Sequence, residues 1–259
     1  MFVIYNKVIL NILYINTKQG GTMEIKDIRK DEQRKRIKTN TVNKVLEVCD
    51  RVDRTKPVEY QIKQLYDWCL SNFKNNFSAR EKFLNNDPTF DYKKENNLDK
   101  LMKSNVGVCG QFAEAFCLMC TQLDGVRAFY MRTNAKGKEA KYNGNHALCL
   151  LEINDKKTLV DVSFGLGAIL RNQNPYDYFL KSWKDLQKTY NKKRDIVMKP
   201  ETLMINTSNN IFDYYDYFKN IDNEIFASLQ DKEMKSFLDN SYSANIKTSK
   251  REICEDMHF

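Results

Sequence analysis

The sequence predicts an α+β domain in which a helix carrying a cysteine packs on an antiparallel sheet, with helical extensions at both ends. Three observations carry that expectation. Before residue 125, apolar residues recur at three- and four-residue intervals, the period of an amphipathic helix. After it, three short segments of strand character follow one another, separated by turn signals. Residues able to do chemistry cluster across this change of period. Gly107-Val108-Cys109-Gly110 opens a helix, while Asn145-His146-Ala147 and Val160-Asp161-Val162 fall on adjacent strands.

Taken in order, the chain divides into an N-terminal segment with a charged helix (1–56), a core (57–200) and a C-terminal helical extension with a mobile tail (201–259). In the first part Val42, Val45, Leu46, Cys49 and Val52 mark one helix face, and the run Arg29 to Arg36 is its solvated side. Pro57 interrupts the pattern. A second helix starts near Val58, with Ile62, Leu65, Tyr66, Cys69, Leu70 and Phe73 on one side and Trp68 within it. Phe77 to Lys103 reads as a loop-rich connection with one short helix, long enough to cover a site or to be a solvated insertion. The third helix starts near Cys109, carries Phe112, Phe116, Met119, Cys120 and Leu123 inward, and stops at Asp124-Gly125. Strands are expected over Val126 to Thr133, His146 to Ile153 and Thr158 to Phe164. Tyr176 to Tyr190 and Asp222 to Leu238 read as helices, and the aromatic cluster Phe212 to Phe218 as a packed surface. From Ser241 onward the chain is polar and expected to be mobile.

Composition narrows the function classes. With 259 residues, 42% of them hydrophobic, the chain can bury a substantial core, which excludes global disorder. Its 42 basic and 34 acidic side chains leave a net charge of +8, which favours approach to an acidic partner. Basic residues are scattered among acidic ones, with no aromatic-basic stripe and no zinc-finger spacing, so no nucleic-acid partner is expected. Seven cysteines, an odd number in a chain too large to need disulfide staples, point to reduced thiols and a cytoplasmic setting. The first 22 residues alternate apolar and polar, lack a basic start and a small-residue cleavage site, and are too short to span a bilayer. Secretion is the alternative location, and Met23 an alternative start. Cys117-Leu-Met-Cys120 lies in an apolar stripe without a second pair, so neither metal nor redox chemistry is expected there.

Cys109, His146 and Asp161 fit one chemistry. At the first turn of a helix a sulfur faces unpaired N–H groups and the positive end of the macrodipole, which favours thiolate. His258 is the sole alternative to His146 as an imidazole, and it is the penultimate residue. If Asn154-Asp155 is a two-residue turn, Ile153 pairs with Lys156, Leu148 faces Asp161 and His146 faces Ser163. His146 and Asp161 then become diagonal neighbours on one face, whereas a one-residue slip would separate them. Cys109 would be the nucleophile, with its own amide an oxyanion donor, His146 the base and Asp161 the group that orients the ring. Gly107 and Gly110 leave room for a substrate chain, and Trp68 or Gln111 is the candidate second oxyanion donor.

These residues resemble the transglutaminase-like superfamily of papain-type cysteine enzymes. The likeness runs from about Glu59 to Gly165. It rests on Gly107-Val108-Cys109 at a helix start, Ala113 with Phe112 and Phe116, Gly125-Val126-Arg127-Ala128, His146-Ala147 and Asp161. Tyr66-Asp67-Trp68 stands on the helix that often precedes the nucleophile in that superfamily. The resemblance implies a papain-like core and acyl transfer at an amide of a protein or peptide through a Cys109 thioester, resolved by water or by an amine, with no cofactor. Two departures are Leu148, where many members have Trp, and the segment Asp161-Val162-Ser163-Phe164-Gly165. That segment is similar to arylamine N-acetyltransferases, which implies acyl-CoA-dependent N-acyl transfer as the alternative. An inactive domain that binds peptides in the old cleft is the third reading.

Overall fold

The computed structural model describes residues 25–85, 87–91, 97–137, 144–204, 211 and 238–246. The chain divides into two units, residues 1–40 and 41–259. Helix α1 (Ile25–Cys49) begins in the first, where Glu32, Gln33, Lys35 and Arg36 of the charged run are exposed. In the second unit its apolar face buries Val42, Val45 and Cys49, the stripe read from the sequence.

Helix α2 (Val58–Asn72) follows Pro57, whose fixed φ suits the position before a first helical turn. The connection from Phe77 to Lys103 holds two described helices rather than one, α3 (Phe77–Leu84) and α4 (Leu98–Ser104). Asn97 caps α4 by accepting the N–H of Lys100 at 3.0 Å, a signal overlooked in an Asn-rich stretch. Two short strands, β1 (Lys74–Asn75) and β2 (Val106–Gly107), pair in parallel and deliver the chain to α5 (Cys109–Cys120).

The main sheet has four antiparallel strands in the order β5-β4-β3-β6: β3 (Val126–Gly137), β4 (Gly144–Ile153), β5 (Lys156–Val160) and β6 (Ile196–Met204). Asn154 and Asp155 both take positive φ, and Ile153 pairs with Lys156, as the turn chemistry predicts. Strand β6 was not foreseen, because Pro200 argues against a strand. It is tolerated here because β6 is an edge strand and the ladder shifts register where Pro200 meets Thr133.

Both faces of the sheet are covered, which is why β4 reads as a nearly continuous apolar run. Ala147, Cys149 and Leu151 join the core under α2 and α5; Leu148, Leu150 and Leu159 join Leu186 and Tyr190 of α7 (Trp183–Arg194) on the other side. The expected helix from Tyr176 to Tyr190 is broken in two, a 3₁₀ turn (Pro175–Tyr178) and α7, since Leu180 takes φ 46° between them.

The expected third strand is also cut short. Pairing ends at Cys149 with Val160, and Val162 begins α6 (Val162–Leu170). Gly165 lets α6 lie on α2: a Cβ there would stand 2.1 Å from the Tyr66 hydroxyl, which donates to the carbonyl of Pro175 at 2.9 Å. Residues 241–246 are docked rather than loose. The amides of Tyr242 and Ala244 donate to the carbonyls of Lys157 and Leu180 at 2.8 and 2.9 Å. The expected helix Asp222 to Leu238 and the cluster Phe212 to Phe218 lie outside the described residues, apart from Leu238, which is helical and buried.

Candidate active site

Cys109 is the first residue of α5, preceded by Val108 in extended conformation (φ −125°, ψ 176°). Val108 has no side-chain acceptor, so the first-turn N–H groups are uncapped from that side and open to an anionic partner. Instead the helix start is secured from within. Gln111 Oε1 accepts the N–H of Val108 at 2.8 Å, the reach-back half of a capping box, and its Nε2 donates to the carbonyl of Asn97 at 3.1 Å. Both polar ends of Gln111 are thereby engaged in securing the helix start, in a buried setting. Trp68 packs edge-on against Phe73, and among the described residues its indole N–H has no hydrogen-bond partner. The room attributed to Gly107 is likewise filled. A Cβ there would lie 2.9 Å from Gln111 Oε1 and 3.0 Å from Leu101, so this glycine serves the packing of the helix start.

His146 sits on β4 two positions before Leu148 and shares its face of the strand. Because β5 pairs no further than Cys149, the β4 edge at His146 and Ala147 has no β5 partner. There the His146 ring and the N–H of Ala147 both act on the Cys109 sulfur and favour its thiolate. The ring nitrogen Nε2 stands 2.7 Å from Asp161 Oδ2, so Nδ1 is the one turned to sulfur. The ring is thus bonded to the carboxylate on one side and favours the thiolate of Cys109 on the other.

Asp161 reaches that position by a route different from the one expected. It is not a strand residue facing Leu148 but the N-cap of α6, and Ser163 does not face His146. Its Oδ1 accepts the N–H of Phe164 at 2.9 Å, leaving Oδ2 for the ring. An Asp before an apolar helical run is a helix-start signal; Val162 and two glycines disguised it as a strand end. Two further residues complete the surroundings and were not foreseen. The Tyr190 hydroxyl donates to the same Oδ2 at 2.5 Å, and Phe164 meets the His146 ring edge-on (centroids 4.9 Å apart, planes at 84°). Tyr190 lies 29 residues from Asp161, and no local pattern links them.

The electrostatics follow from burial and pairing. Burial disfavours a charged His146, but the Asp161 carboxylate and the Cys109 sulfur outweigh it, and the imidazolium is held up to about 10. Burial likewise raises the Cys109 thiol, yet the bond and charge of His146 and the N–H of Ala147 bring it below its ordinary value. Cys49, Cys69, Cys120 and Cys149 show the contrast, being pushed up by burial; among the described cysteines Cys109 alone is not fully buried. Among the described residues no cluster of three or more His, Cys, Asp or Glu could hold a metal ion, and no helix is long and apolar enough to cross a membrane.

A cysteine-tipped helix packed on an antiparallel sheet that supplies a histidine and, at its end, an aspartate defines an α+β core of papain-like type. The transglutaminase-like superfamily profile matches residues 47–151, so this part of the chain is similar to that superfamily. The match spans Cys109 and His146 and ends before Asp161. A crystal structure described as that of a TGase is similar at 15% sequence identity and a TM-score of 0.37, over 61% of this chain and 38% of that one. The chain thus spans well under half the length of that relative. Among curated proteins, none matches the sequence.

Proposed function

We propose that the protein performs cysteine-dependent acyl transfer at an amide of a protein or peptide, with Cys109, His146 and Asp161 as its triad. The observation that carries the reading is the 2.7 Å bond between the His146 ring and Asp161 Oδ2, with that ring lowering the Cys109 thiol at the tip of α5. The Cys109 thiolate attacks the amide carbonyl and a C–S bond forms. The oxyanion meets the N–H of Cys109 at the helix tip. His146 gives its proton to the departing amine as the C–N bond breaks, leaving a thioester. Water or a second amine then attacks the thioester carbon, His146 takes up the proton that the attacking group loses, and the C–S bond breaks to give back the Cys109 thiolate. Hydrolysis and cross-linking differ only in that last nucleophile.

An activity-based cysteine probe on the full chain tests this. Cys109 is expected to label faster than every other cysteine at mildly acidic pH, and Cys109→Ala to lose labelling and turnover together. Uniform labelling rates would instead favour a domain that binds peptides without chemistry. The segment from Asp161 to Gly165, whose Phe164 packs against His146, supports a second reading as an acyl-CoA-dependent N-acyltransferase. Incubation with an acyl-CoA should then add the acyl mass to Cys109, and absence of that adduct removes this reading.

A further inference from the structure

We infer that Tyr190 is a positioning residue for the reaction proposed above, its hydroxyl setting how tightly His146 holds its proton through the oxygen they share. The inference rests on that reading of the site, but its test does not require turnover.

Asp161 is 0% exposed, and among the described residues its carboxylate has three donors. The Phe164 amide takes Oδ1, while Tyr190 and His146 both take Oδ2, at 2.5 and 2.7 Å. Two donors on one buried oxygen compete for its negative charge, so what the phenol draws off is not left for the imidazolium. Burial and the adjacent carboxylate hold the phenol proton well above its usual range, so Tyr190 stays a donor while His146 titrates.

The other groups that feel this site are Tyr66 of α2, Cys109 of α5, Cys149 of β4 and Tyr178 of the 3₁₀ turn, with Arg194 beyond the Phe164 ring. Among the described residues none of these adds a hydrogen bond to the carboxylate.

Tyr190 is also held in place. Its ring packs on Phe164 and Tyr178, with centroids 4.9 and 5.8 Å away. The start of α7 is fastened by the C-terminal segment: Ser243 Oγ accepts the N–H of Ser182 at 2.8 Å, and Ser241 Oγ that of Trp183 at 2.7 Å. A purely structural tyrosine would need the ring but not the hydroxyl on this oxygen.

The test uses the full chain with Tyr190→Phe and, separately, 3-fluorotyrosine at position 190, which keeps the hydroxyl and makes it a stronger donor. The His146 ring is followed by NMR in a Cys109→Ala background, where loss of the thiolate brings its titration to lower pH. Tyr190→Phe is expected to raise that titration by about one unit, and 3-fluorotyrosine to lower it. With Cys109 intact, kcat should fall in Tyr190→Phe while KM stays unchanged, because the hydroxyl touches no substrate. A His146 titration that both replacements leave unmoved, or that moves the opposite way, overturns the inference. Should Tyr190→Phe fail to fold, the fluorinated chain decides alone. If His146 moves as expected but Cys109 never reacts, the acyl-transfer reading fails and the coupling stands.

Discussion

One oxygen of Asp161 accepts the backbone N–H of Phe164 at 2.9 Å, so the carboxylate is anchored by the helix it starts before it meets the imidazole. Anchor and charge can be separated by substitution. Asn is as good an N-cap as Asp, whereas Ala is not, a difference of about 1 kcal/mol. Asp161→Asn should therefore unfold at higher urea than Asp161→Ala. Both should lower kcat by about 10³- to 10⁴-fold, as loss of the orienting carboxylate does in such triads. Equal stability of the two variants would contradict the capping role, and near-wild-type turnover in Asp161→Asn the orienting one.

The His146–Cys109 pair predicts a pH profile. Pairing holds His146 up to about 10 and brings Cys109 below its usual value, and both shifts favour the thiolate–imidazolium pair. In His146→Asn burial and the Asp161 charge raise the thiol with only the Ala147 amide against them, and alkylation of Cys109 at pH 6 should slow. Linkage gives the sign for stability. The raised His146 contributes fully below its ordinary 6.5, and that contribution is lost as pH rises through about 10. Cys109 runs the other way: its contribution is present above its ordinary 9.0 and is lost as pH falls through its lowered value. The two terms offset one another between 6.5 and 9.0, so urea midpoints of wild type and His146→Asn should differ most there and converge as pH rises from 9 towards 10.

Gln111 ties the cysteine helix to the segment before α4. Gln111→Ala removes the acceptor of the Val108 amide and one of the donors to the Asn97 carbonyl, at a cost of about 1–3 kcal/mol. Its effect on kcat should stay below about tenfold, since loss of an oxyanion donor would cost about 10²–10³. A full oxyanion-sized loss of kcat with unchanged stability would return Gln111 to the reacting centre.

Gly165 faces the Tyr66 hydroxyl at a distance no Cβ tolerates. Gly165→Ala should destabilise the fold by about 1–3 kcal/mol through overpacking, read from urea midpoints. Tyr66→Phe in the same chain removes the obstructing oxygen and should recover part of that loss. Additive losses in the double variant would place the strain elsewhere.

Much of this molecule is legible in the order of its residues. Val42 to Cys49, Ile62 to Leu70 and Phe112 to Cys120 bury the faces their spacing marks, because helix period depends on neighbours three and four apart. The turn at Asn154-Asp155 aligned Ile153 with Lys156 for an equally local reason, the backbone twist those residues accept. Cys109, His146 and Asp161 were recognisable as types at suitable spacings, and geometry brings all three together.

What only the tertiary structure decided are relations between distant segments. How closely α6 packs on α2 depends on Tyr66, about a hundred residues earlier, against which Gly165 must fit. β6 exists because β3 offered it an edge, which a proline-bearing segment could not announce alone. Tyr190 meets Asp161 because α7 covers the second face of the sheet, and packing across a sheet leaves no periodic trace in the chain. Local chemistry set which groups could react; long-range packing set which of them share an oxygen.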